Sequence, residues 1–463
     1  MDHAYPLSET IAALSTPPGV GAIGVIRLSG SAAIDITSRI FRGKDLHRQE
    51  GYTVHFGRIM DEAGSVLDEV LVTLFRAPHS YTGEDTVELS CHGSPYILQE
   101  ILQLLVRQGA RLARPGEFTQ RAFLHGKLDL TQAEAVADLI ASTHRSAHDV
   151  AIRQMRGGIA RQISALREEL IHFASLVELE LDFGEEDVEF ADRDALKKLI
   201  ENILTTIRSL AGSFALGNAL KEGVITVIAG RPNAGKSTLL NALLEEERAI
   251  VSDIAGTTRD TIEEALNIQG IRFRLIDTAG IREAQDQIEA IGVARTMAKI
   301  GEATLLVYVF DALTMDAEDV AADVNDLARE GMTIVLVPNK MDLHPYLQPA
   351  AFANKNVGLD HIVPVSARNQ MNITYLKEKL FHLALAGSRS EDDILVSNAR
   401  HAEALYHAAQ ALEAALSGLD NGLTGDLLAE DIRQALHHLG LISGEVTNED
   451  LLANIFGKFC IGK

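Results

Sequence analysis

The mainly apolar run 224–229 passes straight into Gly230-Arg231-Pro232-Asn233-Ala234-Gly235-Lys236-Ser237, and no other stretch restricts the fold so tightly. An apolar run, a turn bracketed by glycines and then Thr238-Leu239-Leu240 spell strand, loop and helix. Gly230 and Gly235 let the backbone curl until its N–H groups point inward at an anion, and the helix starting near Lys236 adds its positive end. Lys236 is placed to reach the outer phosphates of a nucleotide, with Asn233, Ala234, Gly235 and Thr238 lining the same anion site. The Ser237 hydroxyl is a ligand for Mg²⁺. A plain strand-to-helix turn can carry the same glycines, so the segments downstream decide.

Those segments alternate strand-like and helical runs, which predicts a mostly parallel sheet covered on both faces, with functional groups just after the strands. The run 273–276 ends in Asp277-Thr278-Ala279-Gly280, where an aspartate can hold Mg²⁺ through water and Gly280 can donate its N–H to a terminal phosphate. The run 334–338 ends in Asn339-Lys340-Met341-Asp342. A carboxylate at Asp342 can accept from the N1–H and the 2-amino group of guanine, a pairing adenine cannot make. The strand expected at 363–365 ends in Ser366-Ala367-Arg368, a contact to the base edge. Between the phosphate loop and Asp277 lies Gly256-Thr257-Thr258-Arg259-Asp260, where Thr258 can close on Mg²⁺ and sense the γ-phosphate. In this order at strand ends, these segments specify a GTPase. Ile281 stands where small GTPases carry a water-orienting glutamine, so hydrolysis has to recruit another group, with Glu283, Asp286 and Glu289 following.

A chain of 463 residues holds roughly two to four domains. Apolar residues make up 46% and charged residues 23%, the balance of a globular protein. No apolar run is long enough to span a bilayer, and the start lacks the build of a signal peptide, so a cytoplasmic location is expected. Two cysteines, Cys91 and Cys460, suggest neither a disulfide framework nor a zinc site. The net charge of −23 argues against a broad basic face for nucleic acid.

Residues 1–125 read as a mixed α/β unit, with strands at 22–28, 66–75 and 86–90 and a helix at 95–106. From about 128 the chain turns helical. Ile159, Ile163, Leu166, Leu170, Phe173, Val177 and Leu181 form one apolar stripe, and Leu196, Leu199, Ile203, Ile207 and Leu210 form another. Single stripes need partners, which 398–416 and 427–439 supply. The expected organisation is an N-terminal α/β domain (1–125), a discontinuous helical domain (126–222 and 385–463) and an inserted P-loop GTPase domain (223–384). The acidic run 185–189 reads as a solvated connector. His144, His148, His437 and His438 read as surface or packing residues.

Gly-Arg-Pro-Asn-Ala-Gly-Lys-Ser, Asp-Ile-Ala-Gly-Thr-Thr-Arg-Asp (253–260), Asp-Thr-Ala-Gly-Ile-Arg-Glu (277–283) and above all Phe459-Cys460-Ile461-Gly462-Lys463 resemble the MnmE (TrmE) family of tRNA-modification GTPases over the whole chain. That resemblance implies a K⁺ ion beside the phosphates in place of an arginine finger. Asn233, Ser252, Ile254 and Thr257 would ligate it, within a loop that also runs through Asp253 and Ala255. It implies Glu289 as the group positioning the attacking water, and homodimerisation that orders the loop ending at Thr258. By their types alone, Asn233 remains compatible with a plain turn and Glu289 with a solvated helix face. The N-terminal domain would hold a 5-formyl-tetrahydrofolate-type donor through Arg27, Glu88, Lys127 and Lys463. An FAD-containing partner, MnmG (GidA), would join in adding an aminomethyl or carboxymethylaminomethyl group at C5 of the wobble uridine and would hold most of the tRNA, with no membrane involved. Cys460 reads as a packed residue. A GTP-dependent RNA-binding or ribosome-assembly switch without modification chemistry is the alternative.

Overall fold

The computed structural model describes residues 9–182, 193–244, 263–277, 303–329, 331–355, 357–385, 394–421 and 425–463. The chain divides into two compact units, one formed by Met1–Ile140, Gln154–Lys197 and Ala411–Lys463, the other by Ala141–Arg153 and Lys198–Gln410.

The first unit is built on seven strands: β1 (Ile11–Leu14), β2 (Ile23–Ser29), β3 (Phe41–Arg42), β4 (Thr53–Met60), β5 (Val66–Phe75), β6 (Thr86–His92) and β7 (Arg111–Leu112). They lie in the order β3-β4-β5-β6-β2-β1-β7. Neighbours run antiparallel except β1 and β7, which are parallel. Helices Ala33–Ile40 and Pro95–Arg107 bury Ile34, Ile36, Leu98, Ile101 and Leu105 against Ile26, Leu28, Val72, Leu74 and Leu89 of the sheet. In the helical part, Gly158–Asp182 packs along Gly425–Ser443. The stripe Ile163, Leu166, Leu170 and Val177 is buried, as are Leu428, Ile432, Leu439 and Ile442 of the late helix, so the partner for this stripe comes from far along the sequence. Arg167 fastens the pair, donating to Glu445 Oε2 at 3.0 Å and to the Leu436 carbonyl.

The second unit contains β8 (Val224–Ala229), β9 (Glu263–Ile268), β10 (Ile271–Asp277), β11 (Leu305–Asp311) and β12 (Thr333–Asn339), ordered β12-β11-β8-β10-β9. All pairs are parallel except the hairpin β9–β10. Lys236–Leu244 and Ile373–Ala384 bury Leu239, Leu243, Leu376 and Leu380 on Val307, Val309, Val335 and Val337. Ala317–Leu327 buries Val320 and Val324 beside Tyr308, Phe310 and Leu336, the alternate residues of the same strands. Near-continuous apolar strands such as Leu305–Phe310 are what a parallel sheet buried on both faces requires.

The run 363–365 departs from its expected strand. Val363 and Val365 donate to the Leu336 and Pro338 carbonyls at 2.9 and 2.8 Å, yet pairing is limited to one bridge, Leu336–Ile362. Pro364 has no N–H to offer on the outer side, so this edge does not extend the sheet. Helical pieces outside 223–384 join the second unit: Ser146 Oγ donates to Gly270 O at 2.9 Å, and Val396 N donates to Ser213 Oγ at 3.0 Å.

Candidate functional site

The phosphate loop leaves β8 at Gly230, whose φ is +153°. A Cβ there would lie 1.9 Å from the Val309 carbonyl oxygen of β11, so the loop can cross that strand only as glycine. Asn233 sits in the left-handed region at φ +62°, and Gly235 at φ +94°. Lys236 is buried at the start of its helix and donates Nζ to Gly230 O (2.9 Å) and Arg231 O (3.2 Å), so the ammonium lies inside the curl of the loop. Asn233, Ser237 and Thr238 are exposed on its rim, while Ala234 is buried beneath it.

The turn 339–342, expected to read the base, is tied to that loop by Asn339, which is buried. Its Nδ2 donates to Ala234 O at 2.9 Å, and its Oδ1 accepts from Ala367 N at 3.0 Å. Ser366 Oγ donates to Asp342 Oδ1 at 2.6 Å, orienting an exposed carboxylate. Arg368 is exposed next to them. The structure therefore brings together the phosphate loop, 339–342 and 366–368. The pairing of Asp277 with Ile228 sets the end of β10 beside the end of β8, though the Asp277 side chain lies outside the described residues. Also outside them are Ser252, Asp253, Ile254, Ala255, Gly256, Thr257, Thr258, Thr278, Ala279, Gly280 and Glu289, and the acidic run 185–189.

Two contacts here carry no sequence signature. Asp311, closing β11, receives Lys340 Nζ at 2.6 Å. Burial pushes its carboxyl up, but the Lys340 hydrogen bond and charge, with the Leu313 N–H, hold it below the usual range. Arg231 bonds Asp323 through Nε at 2.8 Å and Asp319 through Nη2 at 3.0 Å, hydrogen bonds that push its guanidinium up, and Tyr308 donates its hydroxyl to Asp323.

A second site lies in the first unit. Arg27 and Glu88 face each other across β2 and β6 and join at 2.8 Å. The Arg27 guanidinium stands 5.6 Å from the Tyr81 ring centre and 5.7 Å from that of Phe118, both within cation–π range. The Tyr81 hydroxyl bonds Thr119 Oγ1 at 2.9 Å, and burial raises its pKa despite that bond and the Arg27 charge. The segment 460–463 is docked here. Phe118 N donates to Lys463 O at 3.2 Å and Ser15 Oγ to Gly462 O at 3.2 Å. Burial and the Arg27 charge lower the Lys463 ammonium pKa, opposed by Glu88 and Cys460. Arg27, Glu88 and Lys463 are thus electrostatic neighbours, while Lys127 is exposed at the turn of Gly83. Cys460 is exposed rather than packed, because Phe459 and Gly462 take the inward positions of the tail.

Arg121, which sequence reading missed, is 1% exposed and braces this region by bonding Glu84 (3.0 Å), Glu117 (3.1 Å) and the Glu9 carbonyl (2.9 Å). Its four-residue spacing from Glu117 on one helix was the available signal. Among the described residues, no group of three or more His, Cys, Asp or Glu side chains converges as a metal site, and no helix is long and apolar enough to cross a membrane.

Two family models match the chain: "GTP-binding protein TrmE N-terminus" over residues 10–127 and "MnmE helical domain" over residues 130–460. The chain belongs to the MnmE family. Proteins named tRNA modification GTPase MnmE are its relatives. The one from Cytophaga hutchinsonii is 54% identical over 98% of each chain. Those from Christiangramia forsetii and Flavobacterium johnsoniae are 50% and 49% identical, over 99% and 98% of this chain and 100% and 99% of theirs. In this MnmE-family chain, the Asn339 tie holds the loop after β8, the 339–342 turn and 366–368 together at the ends of the parallel strands.

Proposed function

We propose that this member of the MnmE family hydrolyses GTP in the cytoplasm as a homodimer. With an FAD-containing partner it adds an aminomethyl-type group at C5 of the wobble uridine of certain tRNAs. The observation that carries the GTPase half is the Asn339 tie, which holds the phosphate cradle and the Asp342 carboxylate in one frame. Lys236 and the loop amides bind the phosphates, Asp342 reads the guanine edge, and Ser366 keeps that carboxylate aligned. Mg²⁺, held by Ser237 and Thr258, would neutralise phosphate charge. K⁺, held by Asn233 with Ser252, Ile254 and Thr257, would supply further positive charge to the phosphates. The family resemblance assigns to Glu289 the positioning of water, which Ile281 cannot do.

The reading of the N-terminal site as the place of a 5-formyl-tetrahydrofolate-type donor is supported by the Arg27–Glu88 pair set among Tyr81 and Phe118 rings. A pterin has a planar face for the rings and an amide edge for a carboxylate, and its tail carries carboxylates suited to Arg27, Lys127 and Lys463. The donor supplies a one-carbon unit; the chain's own groups bind and orient it. The acidic balance of the chain fits a division of labour in which the partner holds most of the tRNA.

The test is GTP hydrolysis in potassium against sodium at matched ionic strength, with Asn233→Ala alongside. Stimulation by potassium that Asn233→Ala abolishes is expected; equal rates in the two salts would remove the cation-assisted mechanism. Titration with 5-formyl-tetrahydrofolate tests the second site separately, and Glu88→Ala should lose the binding.

A further inference from the structure

Strand β11 carries none of the nucleotide motifs, yet its last residues touch both loops that do. The Val309 carbonyl lies under Gly230, Tyr308 reaches Arg231 through Asp323, and Asp311 pairs in register with Asn339. The Asp311 side chain is 15% exposed and that of Lys340 34%. Asp311 accepts from Lys340 Nζ at 2.6 Å and, through its other oxygen, from Leu313 N at 3.0 Å, so the carboxylate itself is pinned. Lys340 holds a left-handed φ of +64°, which for a non-glycine residue persists only where the surroundings over-determine it. A lysine whose ammonium is fixed lays its methylene stem down as a stationary apolar surface, and this one lies two residues before Asp342.

We propose that Asp311 is a positioning residue of the guanine site: by fixing Lys340 it holds the 339–342 turn in its base-reading shape, supporting guanine-nucleotide affinity without entering hydrolysis. The inference rests on the reading of Asn339, Lys340 and Asp342 as that site. A charged hydrogen bond of this kind corresponds to about a tenfold effect on binding.

The experiment uses the full chain with Asp311→Asn, Asp311→Ser, Lys340→Met and the Asp311→Asn/Lys340→Met double variant, each checked for folding by circular dichroism. Fluorescent GDP titration and steady-state GTP hydrolysis are the readouts. The expected result is a rise of about tenfold in the GDP Kd and the GTP KM for either Asp311 variant, with kcat at saturating GTP within about twofold of the parent. The double variant should bind no more weakly than Lys340→Met alone. An unchanged GDP Kd, a fall in kcat with KM constant, or additive losses in the double variant would overturn the proposal. Lys340→Met with parental affinity would overturn it whatever the Asp311 variants do. A parent chain that binds no GDP would instead sink the guanine-site reading, and the proposal with it.

Discussion

Replacing Gly235 with alanine tests whether the phosphate loop and the base-reading turn form one rigid frame. The new Cβ would lie 2.3 Å from Asn339 Nδ2, at a backbone φ of +94° that side-chain-bearing residues rarely adopt. Asn339 cannot swing aside freely, because it is buried and its amide is engaged at both ends, by Ala234 O and Ala367 N. The strained backbone costs about 1–3 kcal/mol. Losing the bond to Ala234 O adds about 1 kcal/mol. The free loop relaxes away from its binding shape, and restoring that shape on binding costs about 2–4 kcal/mol, a GDP affinity weakened roughly thirty- to seven-hundred-fold. Titration with a fluorescent GDP reads this directly, with circular dichroism confirming that the helices are retained. Because strain and lost bond both fall on the loop, the affinity should drop without a comparable drop in helix content. A variant that binds GDP within about threefold of the parent would refute the rigid-frame reasoning, since even the lower bound exceeds that.

Two further outcomes follow from local environments. Burial first, and then the Asp68 charge, push the Cys91 thiol up to about 12, while Cys460 is exposed. At about pH 8 a thiol reagent should therefore titrate Cys460 alone in the folded chain and both cysteines in guanidinium; two fast-reacting thiols in the folded chain would contradict the burial of Cys91. Gly462→Ala puts a Cβ 2.3 Å from the Leu14 carbonyl oxygen at φ +95° and should undock residues 460–463. Folate binding by calorimetry should then weaken about fivefold or more while GTP hydrolysis holds, and undiminished folate binding would show that the tail is not part of that pocket.

What the sequence displays and what it hides divide along a physical line. Gly230, Gly235, Asn339, Asp342 and Ser366 are legible because a turn that crosses a strand and a buried tie between loops dictate residue type, and the structure brings these five together. The long stripes of 158–182 and 425–443 are legible because burial imposes a helical period. Strand β4 is not: in Thr53–Met60, His55 is buried while Val54 and Phe56 are exposed, the reverse of what apolar alternation implies. The cause is tertiary. The Phe41 ring occupies the space over Gly57, where a Cβ would come within 2.3 Å of it, so the inward face of this strand is filled from another element. Asp311 and Arg231 stayed hidden for the same reason, since each declares its role only once a partner 29 or 92 positions away is in place, whereas Arg121 showed only its helical spacing from Glu117. The run 363–365 makes only an edge contact to β12, and Pro364 offers no N–H to a further strand.

The hydrogen bond from Ser15 to Gly462 joins residues 447 positions apart. Closing so long a loop costs about 5 kcal/mol of chain entropy, a debt that local contacts have to offset before the ends can meet. The sheet β8 to β12 draws on a single contiguous stretch and has no such delay. The connectivity therefore predicts an order of assembly, in which the sheet β8 to β12 forms on shorter-range contacts ahead of the docking of residues 460–463 beside Arg27.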